Sequence, residues 1–306
     1  MNSASQDEDN PFPIGSSISL LLDGEETPIT LPVTYAFTPF TQGQVYLVES
    51  QGFPESSLIL KVYDPRYLND RQYENRPWSL AAESLAFEKW KKGEISYNFK
   101  VYHLDDDVEE EPWHWEAQFL LSSENALEVE IETYKRLFRM QGQFIPKFYG
   151  HGRLLPTPSM SREFKPGAIL IEYIPGLTLH AIDPALVLPE LYRPLMKAVT
   201  RFDSCGVSHL DINWNNVMLA PPDKPTRMVI IDFGCMVIRQ KGETNKEWAN
   251  SVKADVSHLR ISLEQKLGIK LNNDGTPYTP RSSQKRGVFT WLRSLLQFSC
   301  TRKMPK

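Results

Sequence analysis

Short runs of β-branched and aromatic residues dominate the first part of the chain. Three such runs, at residues 29–37, 45–49 and 58–63, are separated by turn-forming residues. Runs of this length and composition are typical of strands, and short connections usually join antiparallel neighbours. The pattern therefore predicts an antiparallel meander that begins near residue 29. Two later apolar runs, at residues 147–149 and 168–173, predict two further strands.

Other apolar residues recur at helical spacing. One stripe consists of Leu127, Ile131, Tyr134, Leu137 and Phe138. It predicts an amphipathic helix over residues 125–140, with Ser123 or Asn125 as its N-cap. Further helices are expected over residues 79–92, 185–206 and 247–267, and the sequence Asn-Asn-Asp-Gly predicts a turn at residues 272–275.

The composition is that of an ordinary globular protein. The 306 residues are 41% hydrophobic and 24% charged, with a net charge of −4, so no general basic excess points to a nucleic-acid partner. The sequence contains neither a run of about 18 apolar residues nor a basic and then apolar N-terminus. Cys205, Cys235 and Cys300 have no metal-ligand spacing and cannot form a disulfide framework. A soluble, intracellular (cytoplasmic) protein is therefore the expectation.

Three segments are predicted to lie outside the core. Residues 1–17 are polar and are predicted to form a disordered tail. The acidic run at residues 105–111 predicts a solvated loop or, as the alternative, a docking surface for a basic partner. Residues 276–306 carry seven Lys or Arg and no acidic residue. We expect this basic segment to form a helix that packs on the domain, with contact to an anionic membrane as the alternative.

The candidate chemistry is concentrated at residues 208–234. His209, Asp211 and Asn216 form the pattern His-x-Asp-x4-Asn, and the tripeptide Asp232-Phe233-Gly234 follows the apolar run 228–231. With ordinary residue frequencies, both patterns in this order arise by chance in roughly one chain in tens of thousands. The pair resembles the protein-kinase-like superfamily, which includes protein kinases and the aminoglycoside and choline phosphotransferases. With the Asp-Pro-Arg segment after Lys61, the pattern is similar to divergent kinase-like proteins of fungi.

Phosphoryl transfer explains why these residue types are needed. The reaction depends on positioning an acceptor hydroxyl and on neutralising the charge of the phosphates. Asp211 is the candidate for the carboxylate that orients the hydroxyl and takes its proton. Mg²⁺ prefers oxygen ligands, which Asn216 and Asp232 can supply. The expected cofactors are therefore ATP and Mg²⁺, with an unknown protein or small molecule as the hydroxyl acceptor.

The resemblance also implies a lysine and a glutamate that hold the nucleotide. Lys61 lies in an otherwise apolar strand, where a lysine is costly to bury unless it is paired. It would contact the α and β phosphates and pair with a glutamate of the next helix. Glu130 is the choice for that partner, with Glu132 and Glu128 as alternatives.

Two further segments are implied to contact the nucleotide. Gly43 and Val45 belong to the turn that would cover the phosphates. Glu172 and Ile174 follow the predicted strand 168–173 and lie in the segment 172–176, which would act as a hinge. Their backbone groups would contact the adenine ring.

Several positions depart from the protein-kinase pattern. Leu210 and Asn213 stand where protein kinases usually have Arg and Lys, and the turn at residues 38–45 keeps only one of the expected glycines. No Ala-Pro-Glu tripeptide follows Gly234. In many regulated protein kinases the Arg at the position of Leu210 pairs with a phosphate on the activation loop. Because Leu210 cannot do so, we do not expect this chain to be activated by such a phosphate. The departures leave open a small-molecule acceptor, a divergent protein kinase, or a pseudokinase that acts as a scaffold.

The sequence thus predicts an α+β, bilobal, protein-kinase-like fold. A β-rich N-lobe would span residues 18–174, with a large insert at about residues 64–123. A mainly helical C-lobe would span residues 175–306. The predicted function is that of an ATP-dependent phosphotransferase.

Overall fold

The computed structural model describes residues 10–103, 110–156 and 162–279. Their fold is α+β, with a six-stranded antiparallel sheet, two small sheets and five α-helices in this part of the chain. The acidic residues 105–109 and the basic segment from residue 280 lie outside the described residues. None of the described helices is both long enough and apolar enough to span a lipid bilayer.

The large sheet closes on itself as a barrel. Its strands are β1 (Ser17–Leu22), β2 (Ile29–Phe37), β3 (Gln44–Glu49), β4 (Ser57–Tyr63), β5 (Phe148–Leu154) and β6 (Gly167–Glu172). They follow the order β1-β2-β3-β4-β6-β5, and β1 pairs with β5 to complete the ring. The antiparallel meander of β2, β3 and β4 is confirmed, within one residue at each predicted boundary.

Strand β1 was not predicted, and it lies at the edge of the expected disordered tail. Ile18 and Leu20 point into the barrel and are fully buried. The residues just before β1 are also ordered, because Phe12 packs edge-on against Tyr46 and the Gly15 N–H donates to the Val33 carbonyl. The prediction of disorder is therefore wrong for residues 10–17, and residues 1–9 lie outside the described part.

A glycine allows the barrel to close. A Cβ atom on Gly152 of β5 would lie 2.0 Å from the carbonyl oxygen of Leu21 in β1. Only a residue without a side chain permits this approach of two backbones. The inward side chains of the six strands form a continuous apolar cluster inside the barrel, with Tyr46, Val48, Leu58 and Leu60 fully buried.

The segment between β4 and β5 is helical. It contains α1 (Asp70–Tyr73), α2 (Leu80–Lys91) and α3 (Pro112–Arg136), and 3₁₀ turns at Pro65–Tyr67, Val101–His103 and Phe138–Met140. The helix predicted over residues 79–92 is confirmed as α2, with the Ser79 side chain as its N-cap.

The prediction of a helix over residues 125–140 is correct in kind, but both of its boundaries are wrong. Helix α3 begins 13 residues earlier, at Pro112, and ends at Arg136, so neither Ser123 nor Asn125 is its N-cap. Ser123 and Glu124 lie in the middle of the helix and are buried, and Glu124 pairs with Arg153. Residues 112–123 therefore belong to the helix that carries Glu130, and the bounds of the insert at about residues 64–123 stay a prediction.

Short strands and two longer helices follow the barrel. They are β7 (Leu177–Thr178), α4 (Pro189–Val199), β8 (Val207–Ser208), β9 (Val217–Ala220), β10 (Arg227–Ile230), β11 (Val237–Ile238) and α5 (Asn245–Leu267). The helix predicted over residues 247–267 is confirmed as α5, and the turn at Asn272–Gly275 is confirmed by a hydrogen bond from the Gly275 N–H to the Asn272 carbonyl.

The prediction of one long helix over residues 185–206 is wrong. The segment divides into a 3₁₀ turn at Pro184–Leu186, helix α4, and a second 3₁₀ turn at Asp203–Cys205. Pro189 starts α4 because proline has no N–H and suits the first helical position. Gly206 ends the second turn in the left-handed conformation, with φ of 68°.

One apolar cluster joins the barrel to the helices. It contains residues of β4, β6, α3, α4, β8, β9, β10 and α5, among them Ile169, Tyr134, Leu195, Val217 and Leu259. This packing fixes Lys61 on β4, Glu130 on α3 and the loops after β8 and β10 relative to one another. The division into lobes at residue 174 stays a prediction.

Candidate active site

Lys61, Glu130 and Asp232 form the centre of the candidate site. They come from β4, from α3 and from the loop after β10. The ammonium nitrogen of Lys61 lies 2.8 Å from Glu130 Oε2 and 2.8 Å from Asp232 Oδ1. Lys61 and Glu130 are 7% and 1% exposed. The structure thus pairs Lys61 with Glu130, whereas Glu128 and Glu132 contact Tyr97 and Arg136.

The electrostatics of this group favour the charged forms of Lys61 and Asp232. Burial on its own would lower the pKa of Lys61, but the carboxylates of Asp232 and Glu130 raise it above its ordinary value. The ammonium group of Lys61 in turn lowers the pKa of Asp232 to about 2, against the effect of burial. A buried cation between two carboxylates leaves an excess of negative charge, which a bound cation can neutralise.

Tyr63 is a member of this group that the sequence analysis missed. It lies two residues after Lys61 on β4, so that both side chains point to the same face of the strand. Its hydroxyl donates a hydrogen bond to Glu130 Oε2, the oxygen that also contacts Lys61. Burial and the Glu130 carboxylate raise the pKa of Tyr63 well above its ordinary value. The sequence signal that could have identified Tyr63 is its position two residues after Lys61, because alternate residues of a strand point to the same face.

The loop after β8 presents Asp211 to solvent. Its Oδ1 accepts a hydrogen bond from Asn213 Nδ2 at 3.0 Å, and its Oδ2 accepts one from Asn216 Nδ2 at 3.0 Å. Both asparagines therefore hold the carboxylate through their amide nitrogens. The amide oxygen of Asn216, which is the atom that a magnesium ion would take, is not used in this contact.

Asp255 of α5 holds this loop, and the sequence analysis also missed it. Its carboxylate accepts the backbone N–H groups of His209 and Leu210 at 2.7 and 2.8 Å, and the Ser208 hydroxyl at 3.3 Å. Asp255 is buried, and Leu210 has a left-handed φ of 59°. In the sequence, the signal for this role of Asp255 is an acidic residue on the apolar side of the predicted helix 247–267.

His209 packs between the two loops of the candidate site. Its ring nitrogen Nε2 lies 3.2 Å from the Ile231 carbonyl, just before Asp232. The ring packs against Phe233, which in turn packs edge-on against Tyr134 of α3. This row of rings connects the two loops that carry Asp211 and Asp232.

Asp232 and Gly234 have conformations that bring them close to Lys61. Asp232 has φ of 64°, and its side chain is 51% exposed, so one side of the carboxylate is accessible to a ligand. A Cβ atom on Gly234 would lie 3.4 Å from Lys61 Nζ and 2.9 Å from Gln42 Oε1. A larger residue at position 234 would therefore crowd the turn that contains Gln42.

Gly43 and Val45 lie beside Lys61. Val45 is opposite Lys61 in the pairing of β3 with β4. A Cβ atom on Gly43 would lie 3.2 Å from Lys61 Cε, so the turn approaches the lysine closely. The Asn69 N–H donates to the Thr41 carbonyl at 3.2 Å, which fixes the turn to the segment that follows the Asp-Pro-Arg motif.

Glu172 and Ile174 lie where β6 ends. The Glu172 carboxylate pairs with Arg227 and accepts the Lys147 N–H, and the Glu172 N–H donates to the Lys147 carbonyl. Ile174 is buried against Ala220 and Val229. The side chain of Glu172 thus has a structural role, and contact of these two residues with a nucleotide stays a prediction.

The donor set fits a magnesium nucleotide. The site provides a buried ammonium group for phosphates, an accessible carboxylate at Asp232 and an amide oxygen at Asn216. In the described ranges, no cluster of three or more His, Cys, Asp or Glu forms a metal site by itself. A metal at this position would therefore complete its coordination with ligand oxygens, as Mg²⁺ does when it binds with phosphates.

Comparisons with known proteins gave limited similarity. No protein-family model matches the chain. A segment of 62 residues, 20% of this chain, is 34% identical to Calcium-dependent protein kinase 31 of Arabidopsis thaliana and covers 13% of that protein. This chain therefore matches about an eighth of the length of that relative.

Solved structures similar to the chain are protein kinase domains. A double mutant of the PknI kinase domain of Mycobacterium tuberculosis has a TM-score of 0.41 and 17% identity, over 84% of this chain and 78% of that chain. The Rio2 kinase complex with ADP/Mg²⁺ and phosphoaspartate, from Chaetomium thermophilum, has a TM-score of 0.42 and 15% identity, over 84% and 60%. Both TM-scores are below 0.5.

Proposed function

We propose that this chain is an ATP-dependent phosphotransferase of the protein-kinase-like superfamily, which moves the γ-phosphoryl group of ATP to a hydroxyl group. The observation that carries the proposal is the position of Lys61, 2.8 Å from both Glu130 and Asp232. Glu130 and Asp232 lie 69 and 171 positions after Lys61 in the sequence. A purely structural role does not require a buried lysine between a buried glutamate and a half-exposed aspartate.

Each residue of the group has a distinct role in this proposal. Lys61 binds the α and β phosphates, and Glu130 keeps its ammonium group in place. Asp232 and Asn216 provide oxygen ligands for Mg²⁺, which when bound neutralises charge on the phosphates. Gly43 and Val45 cover the phosphates from the turn, and the backbone at Glu172 and Ile174 contacts the adenine.

Asp211 orients the acceptor hydroxyl and takes its proton. Its carboxylate is exposed, and the amide groups of Asn213 and Asn216 fix its orientation. A carboxylate with two oxygens has about four acceptor sites, so two hydrogen bonds leave room for a substrate hydroxyl. General base assistance of this kind contributes roughly 10²–10⁴ in rate.

The proposed architecture is bilobal. The barrel with α3 forms the side that holds Lys61 and Glu130, and the segments from β7 to α5 form the side that holds Asp211, Asn216 and Asp232. The segment at residues 172–176 connects the two sides. The superfamily includes protein kinases and small-molecule phosphotransferases, and the proposed acceptor is a hydroxyl of either class.

A pseudokinase is the second candidate, and one observation favours it. Asn213 stands at the position where protein kinases usually have lysine, and it donates to Asp211. No cation from this position would then compensate the charge of the transferred group. In this case the fold would bind a nucleotide or a partner without transferring phosphate.

Turnover of γ-labelled ATP distinguishes these two functions. The purified chain would be incubated with Mg-ATP, with water and a panel of alcohols and proteins as acceptors. We expect the wild-type protein to release or transfer labelled phosphate. Asp211→Asn should keep Mg-ATP binding and lose turnover by about 10²-fold or more. The exposed variant Asp223→Asn, which makes the same chemical change in the β9–β10 turn, is the matched control. Mg-ATP binding without turnover in the wild type would support the pseudokinase instead.

A further inference from the structure

Tyr63 is buried in the apolar cluster that joins the barrel to the helices, and its hydroxyl makes one hydrogen bond there. Tyr63 is 0% exposed, so its hydroxyl has no access to bulk water. It donates to Glu130 Oε2. A buried donor that is satisfied by a single carboxylate oxygen restricts where that oxygen can lie.

Glu130 Oε2 therefore accepts two hydrogen bonds from β4. One comes from the Tyr63 hydroxyl and the other from Lys61 Nζ at 2.8 Å. The two donors are on the same strand, two residues apart, and they converge on one atom of α3. Because burial and Glu130 raise the pKa of Tyr63, its hydroxyl remains protonated and can donate over the whole physiological pH range.

Other contacts fix helix α3 without Tyr63. Arg136, near the end of α3, donates from Nη1 to the Gly206 carbonyl at 2.9 Å. Leu127, Ile131 and Tyr134 of α3 pack into the large apolar cluster. The position of the helix backbone is thus determined by its own packing, and the Tyr63 hydroxyl acts on the orientation of the Glu130 side chain.

We propose that Tyr63 is a positioning residue that holds the Glu130 carboxylate in the orientation in which it pairs with Lys61. It acts on nucleotide binding through Glu130, since its hydroxyl contacts neither Asp232 nor the loop of Asp211. This inference rests on the proposed function, because the effect is measured as binding of Mg-ATP.

The test is a double-mutant cycle on Mg-ATP binding, measured by calorimetry with the full chain. The four proteins are the wild type, Tyr63→Phe, Glu130→Gln and the double variant. Tyr63→Phe keeps the ring and removes only the hydroxyl. We expect it to weaken Mg-ATP binding by about tenfold, which is the lower limit of the effect of a hydrogen bond to a charged group. If Tyr63 acts through Glu130, the double variant should bind no more weakly than Glu130→Gln alone.

Tyr46→Phe is the matched control. Tyr46 is also a fully buried tyrosine of the barrel, and its hydroxyl donates to the neutral side chain of Asn10 at 3.2 Å. We expect this variant to bind Mg-ATP with the wild-type dissociation constant. The melting temperature of each variant without nucleotide shows whether the fold is retained. If Tyr63→Phe does not fold, Tyr63→Met takes its place, because it also lacks the hydroxyl. It should weaken Mg-ATP binding in the wild-type background and have no further effect in Glu130→Gln.

The outcomes separate the inference from the proposed function. If the wild type binds Mg-ATP and Tyr63→Phe binds equally well, the role of Tyr63 is refuted and the proposed function stands. Effects of Tyr63→Phe and Glu130→Gln that multiply in the double variant also refute it, because they indicate independent contributions. No binding of Mg-ATP by the wild type overturns both.

Discussion

Asp255 and His209 are 46 residues apart in the sequence, and the Asp255 carboxylate accepts the His209 backbone N–H at 2.7 Å. The same carboxylate accepts the Leu210 N–H at 2.8 Å. Helix α5 thus fixes the start of the loop that carries Asp211. The buried Asp255 carboxylate thus holds the loop from the interior, and Asp211 at the other end of the loop is exposed.

Removal of this carboxylate should destabilise the protein and the loop together. Asp255→Ala leaves the buried His209 N–H and the part-buried Leu210 N–H without an acceptor, and a buried group in this state costs about 1–3 kcal/mol. We expect the free energy of unfolding, measured by urea denaturation, to fall by about 3 kcal/mol. Gln265→Ala, an exposed substitution on the same helix, is the control and should be within about 0.5 kcal/mol of the wild type. Equal stability of Asp255→Ala and the control would show that this contact does not hold the loop.

Closure of the barrel can be tested at Gly152. The alanine Cβ in Gly152→Ala would lie 2.0 Å from the Leu21 carbonyl oxygen, so β1 and β5 would have to separate. We expect a loss of about 1–3 kcal/mol in the free energy of unfolding. Hydrogen exchange should become faster in β1 and β5 and stay unchanged in β3, which is remote from the contact. Ser17→Ala, at the exposed start of β1, is the control. Unchanged exchange in β1 would mean that this strand does not close the ring.

The start of helix α3 should make stability depend on pH. His114, the third residue of α3, accepts the Glu111 N–H on its Nδ1 at 3.0 Å, which requires the neutral ring. Burial lowers the pKa of His114, although Glu111 and Glu110 oppose the shift. The unfolded chain, with a histidine pKa of about 6.5, therefore takes up the proton first as the pH falls. The stabilisation by His114 is complete above about pH 6.5 and is lost as the pH falls through the lower pKa of the folded state.

Unfolding in urea at pH 7.5 and pH 5.5 measures this dependence. Glutamine can accept the same N–H but does not titrate, so His114→Gln should lose less stability than the wild type between these two pH values. His114→Ala removes the acceptor and should be less stable at both. A wild-type protein and a glutamine variant with the same pH dependence would exclude His114 as the titrating group.

The sequence predicted the elements whose patterns are local. The runs at residues 29–37, 45–49 and 58–63 alternate with turn residues, and all three are strands. The helices predicted over residues 79–92 and 247–267 correspond to α2 and α5. The spacing of Asp211, Asn216 and Asp232 identified the segment in which the candidate site lies.

The missed features depend on contacts between distant parts of the chain. Strand β1 pairs with β5, more than a hundred residues later in the sequence. Because this pairing joins distant segments, the local sequence pattern does not predict that the sheet closes into a barrel. The polar residues 122–125 suggested the start of a helix, but Arg153 compensates the buried charge of Glu124 in the middle of α3. Tyr63 and Asp255 have ordinary local patterns, and their roles follow only from what they contact.

The proposed phosphotransferase activity requires that Mg-ATP binds at Lys61, Glu130 and Asp232. Thermal unfolding with and without Mg-ATP tests this binding most directly, in the wild type, in Asp232→Asn and in the surface control Asp223→Asn. At about 100 times the dissociation constant, the ligand stabilises the folded state by about 2.7 kcal/mol, which corresponds to a shift of roughly a few degrees in the melting temperature. We predict this Mg²⁺-dependent shift in the wild type and in Asp223→Asn, and its loss in Asp232→Asn. No shift in the wild type at millimolar Mg-ATP, or an equal shift in Asp232→Asn, would show that Mg-ATP does not bind at this site.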